Sequence, residues 1–175
     1  MNLKTSDEIE FKQFVKNLFG DKFVFAFICG SVAKKETSKE SDIDMLVVLD
    51  SIELIKLKIF RKWYIDFHLR KNFKPDLVYP GEVVPIFNMK IALASVKCYN
   101  STNQIVDKTI YDGIVWAGML SSDCIAFVGD VAVYDKLKDE AVEICKKWKQ
   151  ELAPDIYLGV SDDKILKQII TYNYE

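Results

Sequence analysis

The sequence predicts an α+β fold, in which a β-sheet is flanked by helices and is followed by a mainly helical C-terminal region. Within residues 1–100, short runs of apolar, β-branched and aromatic residues alternate with longer stretches of helical periodicity, the pattern typical of a sheet covered by helices. Half of the 175 residues are hydrophobic and 13% are aromatic, which is enough to fill a core. The chain has only 7 Gly and 4 Pro, which excludes a fibrous protein.

The first predicted elements are a helix and a buried strand. Thr5 and Glu8 have the spacing of a capping box, so we expect a helix to begin there and Gly20 to end it. The segment Phe23–Cys29 is short, apolar on both faces and rich in aromatic residues, which favours an interior strand. A polar, lysine-rich connection follows over residues 30–40.

The alternation continues through two further pairs of elements. We expect a strand at Ile43–Leu49, followed by a helix over residues 52–71, which contain no Gly or Pro. A third strand is predicted at Asp76–Tyr79, between Pro75 and the Pro-Gly pair that follows it. A helix is expected at Val84–Ala94.

The pattern weakens beyond residue 100, which suggests a change in organisation. Helical periodicity returns over residues 134–152, and Ser161–Asp163 predicts the start of a short final helix. We therefore divide the chain into a domain at residues 1–100 and a mainly helical region at residues 101–175.

Charge and apolar patterning exclude several classes of protein. The 24 basic and 26 acidic residues leave a formal charge of -2, which disfavours nucleic acid and membrane surfaces as partners. The longest apolar runs, Phe23–Cys29 and Ile114–Leu120, are far shorter than the roughly 20 residues of a membrane span. The N-terminal stretch lacks the apolar segment of a secretory signal. We therefore expect no membrane association and a cytoplasmic location.

Cysteine and histidine chemistry is not indicated. The four cysteines are widely separated without metal-ligand spacing, so we expect reduced thiols. His68, the sole histidine, falls inside the predicted helix at residues 52–71, beside Arg70 and Lys71, and we expect it to be exposed. A histidine-dependent catalytic triad is therefore disfavoured.

The first candidate site consists of two acids. Asp42 and Asp44 are two residues apart at the start of a predicted strand, so their side chains project from the same face, about 6–7 Å apart. Two such carboxylates repel each other unless a cation neutralises them, and hard divalent ions take oxygen ligands. Taken alone, however, an Asp-x-Asp pair is more often a solvated strand edge.

A second candidate is the pair Gly30 and Ser31, which follows the first strand. Glycine allows a tight turn and close approach of a ligand, and the backbone N–H groups with the Ser31 hydroxyl can hold phosphate oxygens. Taken alone, a Gly-Ser pair is more often an ordinary turn at the end of a strand. The two candidates gain weight together, because both lie between neighbouring strands.

The combined stretch resembles the signature of the polymerase-beta-like nucleotidyltransferase superfamily. That signature reads Gly-Ser-x-Ala-x-Gly, followed by Ser-Asp-[Ile/Leu/Val]-Asp. The matching residues here are Gly30, Ser31, Ala33, Ser41, Asp42, Ile43 and Asp44. One position departs, because Lys35 stands where the family has its second glycine. The resemblance covers about residues 20–80, and small members of the superfamily include minimal and antibiotic nucleotidyltransferases.

The resemblance implies a fold, a reaction and a set of site residues. The fold is the nucleotidyltransferase fold, with a mixed β-sheet flanked by helices. Asp76 is similar to the family's third acid, so that Asp42, Asp44 and Asp76 form the implied catalytic and metal-binding residues. Gly30, Ser31 and Ser41 form the implied nucleotide-binding residues. The implied cofactor is a pair of Mg²⁺ ions, with Mn²⁺ as an alternative.

The implied activity is Mg²⁺-dependent transfer of a nucleoside monophosphate, with AMP as the expected group. The donor is a nucleoside triphosphate, the acceptor is a hydroxyl of a small molecule or a protein, and pyrophosphate is released. ATP and Mg²⁺ are accordingly the expected ligands. Residues 101–175 are expected to choose the acceptor, and homo-oligomerisation is left open.

Two alternatives are weighed against this reading. The first is an inactive nucleotide-binding or protein-interaction module of the same fold, which Lys35 leaves open and the three acids disfavour. The second is a polymerase or a tRNA end-adding enzyme, which the charge of -2 and the short length disfavour.

Overall fold

The computed structural model describes residues 2–38, 41–77, 80–99 and 108–151, the last four of these by their backbone only. Six α-helices lie within these ranges: α1 (Thr5–Phe19), α2 (Gly30–Lys34), α3 (Leu54–Arg70), α4 (Ile86–Cys98), α5 (Lys108–Ser121) and α6 (Val131–Glu151). A short 3₁₀ helix at Gly20–Lys22 follows α1. Four strands alternate with them: β1 (Phe23–Ile28), β2 (Met45–Leu49), β3 (Glu82–Pro85) and β4 (Ile125–Gly129). The predicted α+β class is confirmed.

The four strands form one mixed sheet in the order β3-β2-β1-β4. The strand β1 pairs antiparallel with both β2 and β4, whereas β2 pairs parallel with β3. Parallel strands need a crossover connection, and α3 lies in the connection from β2 to β3. The two strands nearest the predicted acids, β1 and β2, therefore occupy the centre of the sheet, where both are buried.

Alternation along the central strands sends side chains to two faces. One set packs against α1 and α3 to form a hydrophobic core. The strands contribute Ala26, Ile28, Met45, Val47 and Leu49, and the helices contribute residues that include Phe11, Val15, Phe60, Tyr64 and Phe67. The other face of β1 carries Phe25 and Phe27, whose rings pack edge-on against Tyr134. Both faces of the sheet are thus covered, which explains the almost entirely apolar sequences of β1 and β2.

Several local expectations are wrong. The helix α1 begins one residue after Lys4, and its N-terminus is held by the Asp7 carboxylate, which accepts a hydrogen bond from the Lys4 N–H at 2.8 Å. The expected capping box of Thr5 and Glu8 is not formed. The connection after β1, for which the sequence allows a helix or a loop, contains a short helix, α2. The strand expected at Asp76–Tyr79 is wrong at Asp76 and Leu77, which lie outside any strand, while residues 78 and 79 lie outside the described residues. The third strand of the sheet is instead β3, at Glu82–Pro85.

The strand β4 lies beyond residue 100, where the sequence pattern is weakest. It pairs with the free side of β1, with Phe25 opposite Gly129. The helices predicted over residues 52–71, 84–94 and 134–152 are present as α3, α4 and α6 with shifted ends. The short helix expected after Ser161 lies outside the described residues.

The chain divides into two compact units. The first comprises Met1–Asn88 and Ser122–Asp135, and includes the whole sheet. The second comprises Met89–Ser121 and Lys136–Glu175. Inside the second unit, a Cβ atom on Gly113 of α5 would lie 2.5 Å from the carbonyl oxygen of Ala92 in α4, so glycine allows these helices to approach closely. The predicted boundary near residue 100 stays a prediction.

In the parts of the chain that the structure describes, no helix combines the length and the apolar character that crossing a bilayer requires.

Candidate active site

Asp42, Ile43 and Asp44 lie directly before β2 and continue its alternation. Ile43 is fully buried in the core beside α3, whereas the side chains of Asp42 and Asp44 are half-buried. The carbonyl oxygen of Asp44 accepts a hydrogen bond from the Cys29 N–H at 3.0 Å, which extends the pairing of β1 and β2 beyond the strands. Because neighbours alternate between faces, the buried Ile43 directs both acids to the opposite side.

Gly30 lies against Asp44. Its backbone has a positive φ of 69°, and a Cβ atom at this position would overlap the Asp44 carboxylate, with Asp44 Cγ only 2.8 Å away. Both conditions require glycine, since any other residue is strained at this φ and has no room for its side chain. The Gly-Ser turn and the acidic pair, separate in sequence, are therefore in direct contact.

Asp76 lies near the other two acids. Its charge raises the pKa values of both Asp42 and Asp44, so its carboxylate is close enough for electrostatic repulsion. The loop that carries it is tied to the loop before Asp42, because the Lys74 N–H donates a hydrogen bond to the Ser41 carbonyl at 3.2 Å. The structure thus brings together the three acids that the sequence singles out.

Burial and the repulsion between neighbouring carboxylates affect the ionisation of Asp42 and Asp44. Burial is the largest effect on Asp44, and with the charges of Asp42 and Asp76 it raises the pKa of Asp44 to about 6. Burial also raises the pKa of Asp42, with a further contribution from Asp76. Negative charge at this position is therefore destabilising in the isolated chain, and a bound cation would relieve it.

The predicted nucleotide-binding serines occupy different positions. Ser31 lies in the first turn of α2 beside Gly30, and its carbonyl accepts a hydrogen bond from the Glu36 N–H at 2.9 Å. The Ser41 hydroxyl accepts a hydrogen bond from the Ser38 N–H at 2.8 Å. Ser41 thus shapes the loop that leads to Asp42, while Ser31 lies beside the Gly30–Asp44 contact.

Lys35, which replaces the second glycine of the family signature, has a backbone conformation typical of glycine. It follows α2 in the left-handed conformation, with φ 61° and ψ 29°. Glycine adopts this conformation without penalty, whereas other residues pay about 1–2 kcal/mol. The loop therefore keeps the backbone conformation that glycine favours, although a lysine occupies the position.

The expectation that His68 is exposed is wrong, because its side chain is completely buried. Its Nε2 accepts a hydrogen bond from the Ile43 N–H at 2.8 Å, and its Nδ1 lies 2.8 Å from the carbonyl oxygen of Tyr64. Burial is the main cause that lowers the pKa of His68 to about 4. The apolar face of α3, with Phe60, Tyr64 and Phe67, was the signal that could have placed His68 inside.

Tyr64 is a second residue that the sequence pattern did not single out. Its hydroxyl oxygen accepts a hydrogen bond from the backbone N–H of Asp76, which acts to lower the pKa of Tyr64. Burial and the nearby charge of Asp42 raise its pKa, so the hydroxyl stays protonated. One helix, α3, thus contacts both loops that carry the acids, through Tyr64 and His68.

The side chains of the three acids are suited by their chemistry to a divalent metal ion. Three carboxylates offer only oxygen atoms, which suits hard ions such as Mg²⁺, and their mutual repulsion is what such an ion offsets. No group of three or more His, Cys, Asp or Glu side chains within the described ranges is already arranged to hold a metal ion. The chemistry of the donors therefore fits, although the side chains do not form a closed metal site.

Comparison with known proteins identifies the family of the chain. A family model described as "Nucleotidyltransferase domain" matches residues 8–111, which is more than half of the chain and includes all three acids. No curated protein and no solved structure matches the chain. The mixed sheet flanked by helices is consistent with the nucleotidyltransferase fold. The chain therefore belongs to the nucleotidyltransferase domain family.

Proposed function

We propose that this protein transfers a nucleoside monophosphate, with AMP as the expected group, from a nucleoside triphosphate to a hydroxyl group, releasing pyrophosphate. Membership of the family supports nucleotidyl transfer as the general activity. The observation that carries the proposal is the approach of three acids from two loops, with Gly30 in contact with one of them. This arrangement places negative oxygen ligands next to the Gly-Ser turn, whose backbone is in direct contact with one of the acids.

Each site residue receives a role in this proposal. Gly30 and Ser31 hold the triphosphate, because they lie beside Asp44 and their backbone turns sharply there. Asp42 and Asp44 would hold the cations that neutralise the triphosphate, and Asp76 would accept the proton of the acceptor hydroxyl. Ser41 supports these roles by shaping the loop before Asp42.

The proposed cofactor is Mg²⁺, two ions per site, with Mn²⁺ as an alternative. Asp42, Asp44 and Asp76 would hold these ions. Two such ions, when bound, stabilise the attacking and leaving oxygens of an in-line phosphoryl displacement. The contribution of the protein is then positioning and neutralisation of charge, without a covalent intermediate on the chain.

The acceptor is proposed to be a small molecule or a protein. Its choice is assigned to residues 101–175, because the acids and the Gly-Ser turn lie before them in the chain. A cytoplasmic location, the domain boundary near residue 100 and the oligomeric state stay predictions of the sequence.

The proposal is tested first by binding. ATP, GTP, CTP and UTP are titrated calorimetrically with Mg²⁺ or Mn²⁺ into the wild type and into Asp42→Ala/Asp44→Ala. We expect metal-dependent binding of a triphosphate that the double variant loses, because two of the three anionic ligands are removed. The matched control is Asp50→Ala/Asp66→Ala, which removes the same charge from two exposed positions.

The outcomes separate the proposal from its alternative. Equal metal-dependent binding by the wild type and Asp42→Ala/Asp44→Ala would contradict the assignment of the site. Transfer of label from an α-labelled triphosphate to a metabolite or protein fraction identifies the acceptor. Binding without transfer to any acceptor favours an inactive nucleotide-binding module. The sequence leaves that alternative open because Lys35 replaces a glycine of the family signature.

A further inference from the structure

We propose that His68 is a positioning residue of this site, whose imidazole fixes the peptide bond between Asp42 and Ile43. The inference rests on the proposed function of the three acids. His68 is 0% exposed, so water does not compete for its two hydrogen bonds. Its role is to set the direction of the acids, and it does not touch them.

The two hydrogen bonds of His68 determine which imidazole nitrogen carries the proton. An N–H group donates, so the Nε2 that faces the Ile43 N–H at 2.8 Å must be an unprotonated acceptor. In a neutral imidazole the proton then sits on Nδ1, which lies 2.8 Å from the Tyr64 carbonyl oxygen and donates to it. Both ring nitrogens are therefore satisfied by backbone partners, one on each side.

The bond to Ile43 controls the adjacent acids through covalent geometry. The Ile43 N–H belongs to the planar peptide unit that begins at the Asp42 carbonyl, so holding this N–H fixes the plane next to the Asp42 Cα. On the other side, the Cys29 N–H holds the Asp44 carbonyl at 3.0 Å. The acidic segment is thus fixed from α3 at one end and from β1 at the other.

Loss of the imidazole acceptor leaves the Ile43 N–H buried without a partner, since Ile43 is 0% exposed. A buried donor without a partner is costly, so the peptide unit is expected to reorient. Reorientation moves Asp42 relative to Asp76 and weakens the binding of cations between them. The effect of the substitution is therefore on ligand binding as well as on stability.

Two amide substitutions distinguish this role from simple packing. In His68→Gln the side-chain oxygen reaches the position of Nε2 and accepts from Ile43. In His68→Asn the shorter amide reaches the position of Nδ1 and leaves Ile43 without an acceptor. Phe67→Leu, a buried neighbour on α3, controls for lost stability with the acceptor intact.

The full-length chain is titrated with Mg²⁺ and whichever of ATP, GTP, CTP and UTP binds the wild type most tightly. We expect affinity to fall at least tenfold in His68→Asn, and to stay within threefold of the wild type in His68→Gln and Phe67→Leu. Equal losses in the two amide variants, or no loss in His68→Asn, would overturn the inference. Failure of the wild type to bind any triphosphate would instead overturn the proposed function.

A measurement on the wild type keeps the inference testable if His68→Asn does not fold. Long-range ¹H–¹⁵N spectra of the imidazole at pH 7 report which nitrogen carries the proton. We expect a proton on Nδ1 and an unprotonated Nε2. A proton on Nε2, or a doubly protonated ring, would be incompatible with the bond to Ile43 and would refute the assignment.

Discussion

At the scale of single residues, the site depends on a close approach that only glycine permits. Gly30 and Gly20 both have a positive φ, at 69° and 55°, but their surroundings differ. A Cβ atom on Gly20 meets nothing within 4 Å, whereas one on Gly30 would overlap the Asp44 carboxylate. A substitution at Gly20 therefore introduces backbone strain alone, whereas the same substitution at Gly30 also displaces an acid of the site.

This difference gives a matched pair of variants. We expect Gly30→Ala and Gly20→Ala each to lower the free energy of unfolding by about 1–2 kcal/mol, because alanine is strained at positive φ. Gly30→Ala should in addition weaken metal-dependent triphosphate binding at least tenfold, since Asp44 must move. Urea unfolding and calorimetric titration measure the two effects. Equal affinities in the two variants would contradict the assigned contact.

At the scale of secondary structure, α3 is the element on which the site is built. Its Tyr64 and His68 contact the two loops that carry the acids, and its C-terminal end is joined to α1 by ion pairs. There Lys71 lies 2.7 Å from the Asp7 carboxylate, which also accepts the Lys4 N–H. Asp7 thus serves both as the N-terminal cap of α1 and as the partner of Lys71.

We expect Asp7→Asn to lower the free energy of unfolding by about 1–3 kcal/mol, because a charge-assisted bond at a buried position is lost. Glu10→Gln, at the outer pair with Arg70, should cost less than about 1 kcal/mol. Burial acts to raise the pKa of Asp7, but the hydrogen bonds from Lys71 and Lys4 lower it overall. Its contribution is therefore present at neutral pH and is lost in acid.

Chemical denaturation at pH 7 and at pH 3 measures this prediction. The difference between the wild type and Asp7→Asn should shrink at the lower pH, where the carboxylate is protonated in the unfolded chain. An equal difference in unfolding free energy at pH 7 and at pH 3 would show that the charge of Asp7 does not cause the loss of stability.

The sequence predicts the elements with strong periodicity and misses those defined by distant contacts. The strands β1 and β2 are continuous apolar runs, and α3 has a long helical pattern without Gly or Pro, so all three are found. The strand β4 is stabilised by pairing with β1, and β3 by pairing with β2, so neither is visible in its local pattern. The predicted strand at Asp76 is wrong for this reason.

In the candidate site, too, the sequence predicts the residues that a local pattern identifies and misses those defined by distant contacts. The spacing of Gly30, Asp42 and Asp44 identifies three members, because the family signature is local. His68 was misjudged because its neighbours Arg70 and Lys71 are charged, although its position four residues after Tyr64 places it on the buried face. Its bond to Ile43 joins residues that are far apart in the chain, and no local pattern reports such a contact.

At the scale of the whole molecule, two buried groups give stability opposite dependences on pH. The pKa of Asp44 is raised to about 6, so the folded chain holds its proton longer, and stability falls as pH rises toward neutrality. The pKa of His68 is lowered to about 4, so stability falls as pH drops below its ordinary pKa of about 6.5. Between about pH 4 and 6 the two effects oppose each other.

Single substitutions are expected to expose each effect. In a buffer with EDTA, Asp44→Asn should gain on the order of 2 kcal/mol of unfolding free energy relative to the wild type between pH 4 and pH 7, because it removes a charge that burial and the neighbouring acids destabilise. His68→Gln should lose a similar amount relative to the wild type over the same range. Asp66→Asn is the exposed control. Parallel profiles for Asp44→Asn and the wild type would refute the raised pKa of Asp44.

The pairing of β1 with β4 also constrains the order of events during synthesis. Phe25 meets Gly129, so β1 leaves the ribosome roughly 100 residues before its second partner. At about 5–20 residues per second, one side of this strand waits about 5–20 s for its partner. A nascent chain that exposes an open strand edge can pair with other chains, so aggregation is a hazard for this intermediate until β4 is available.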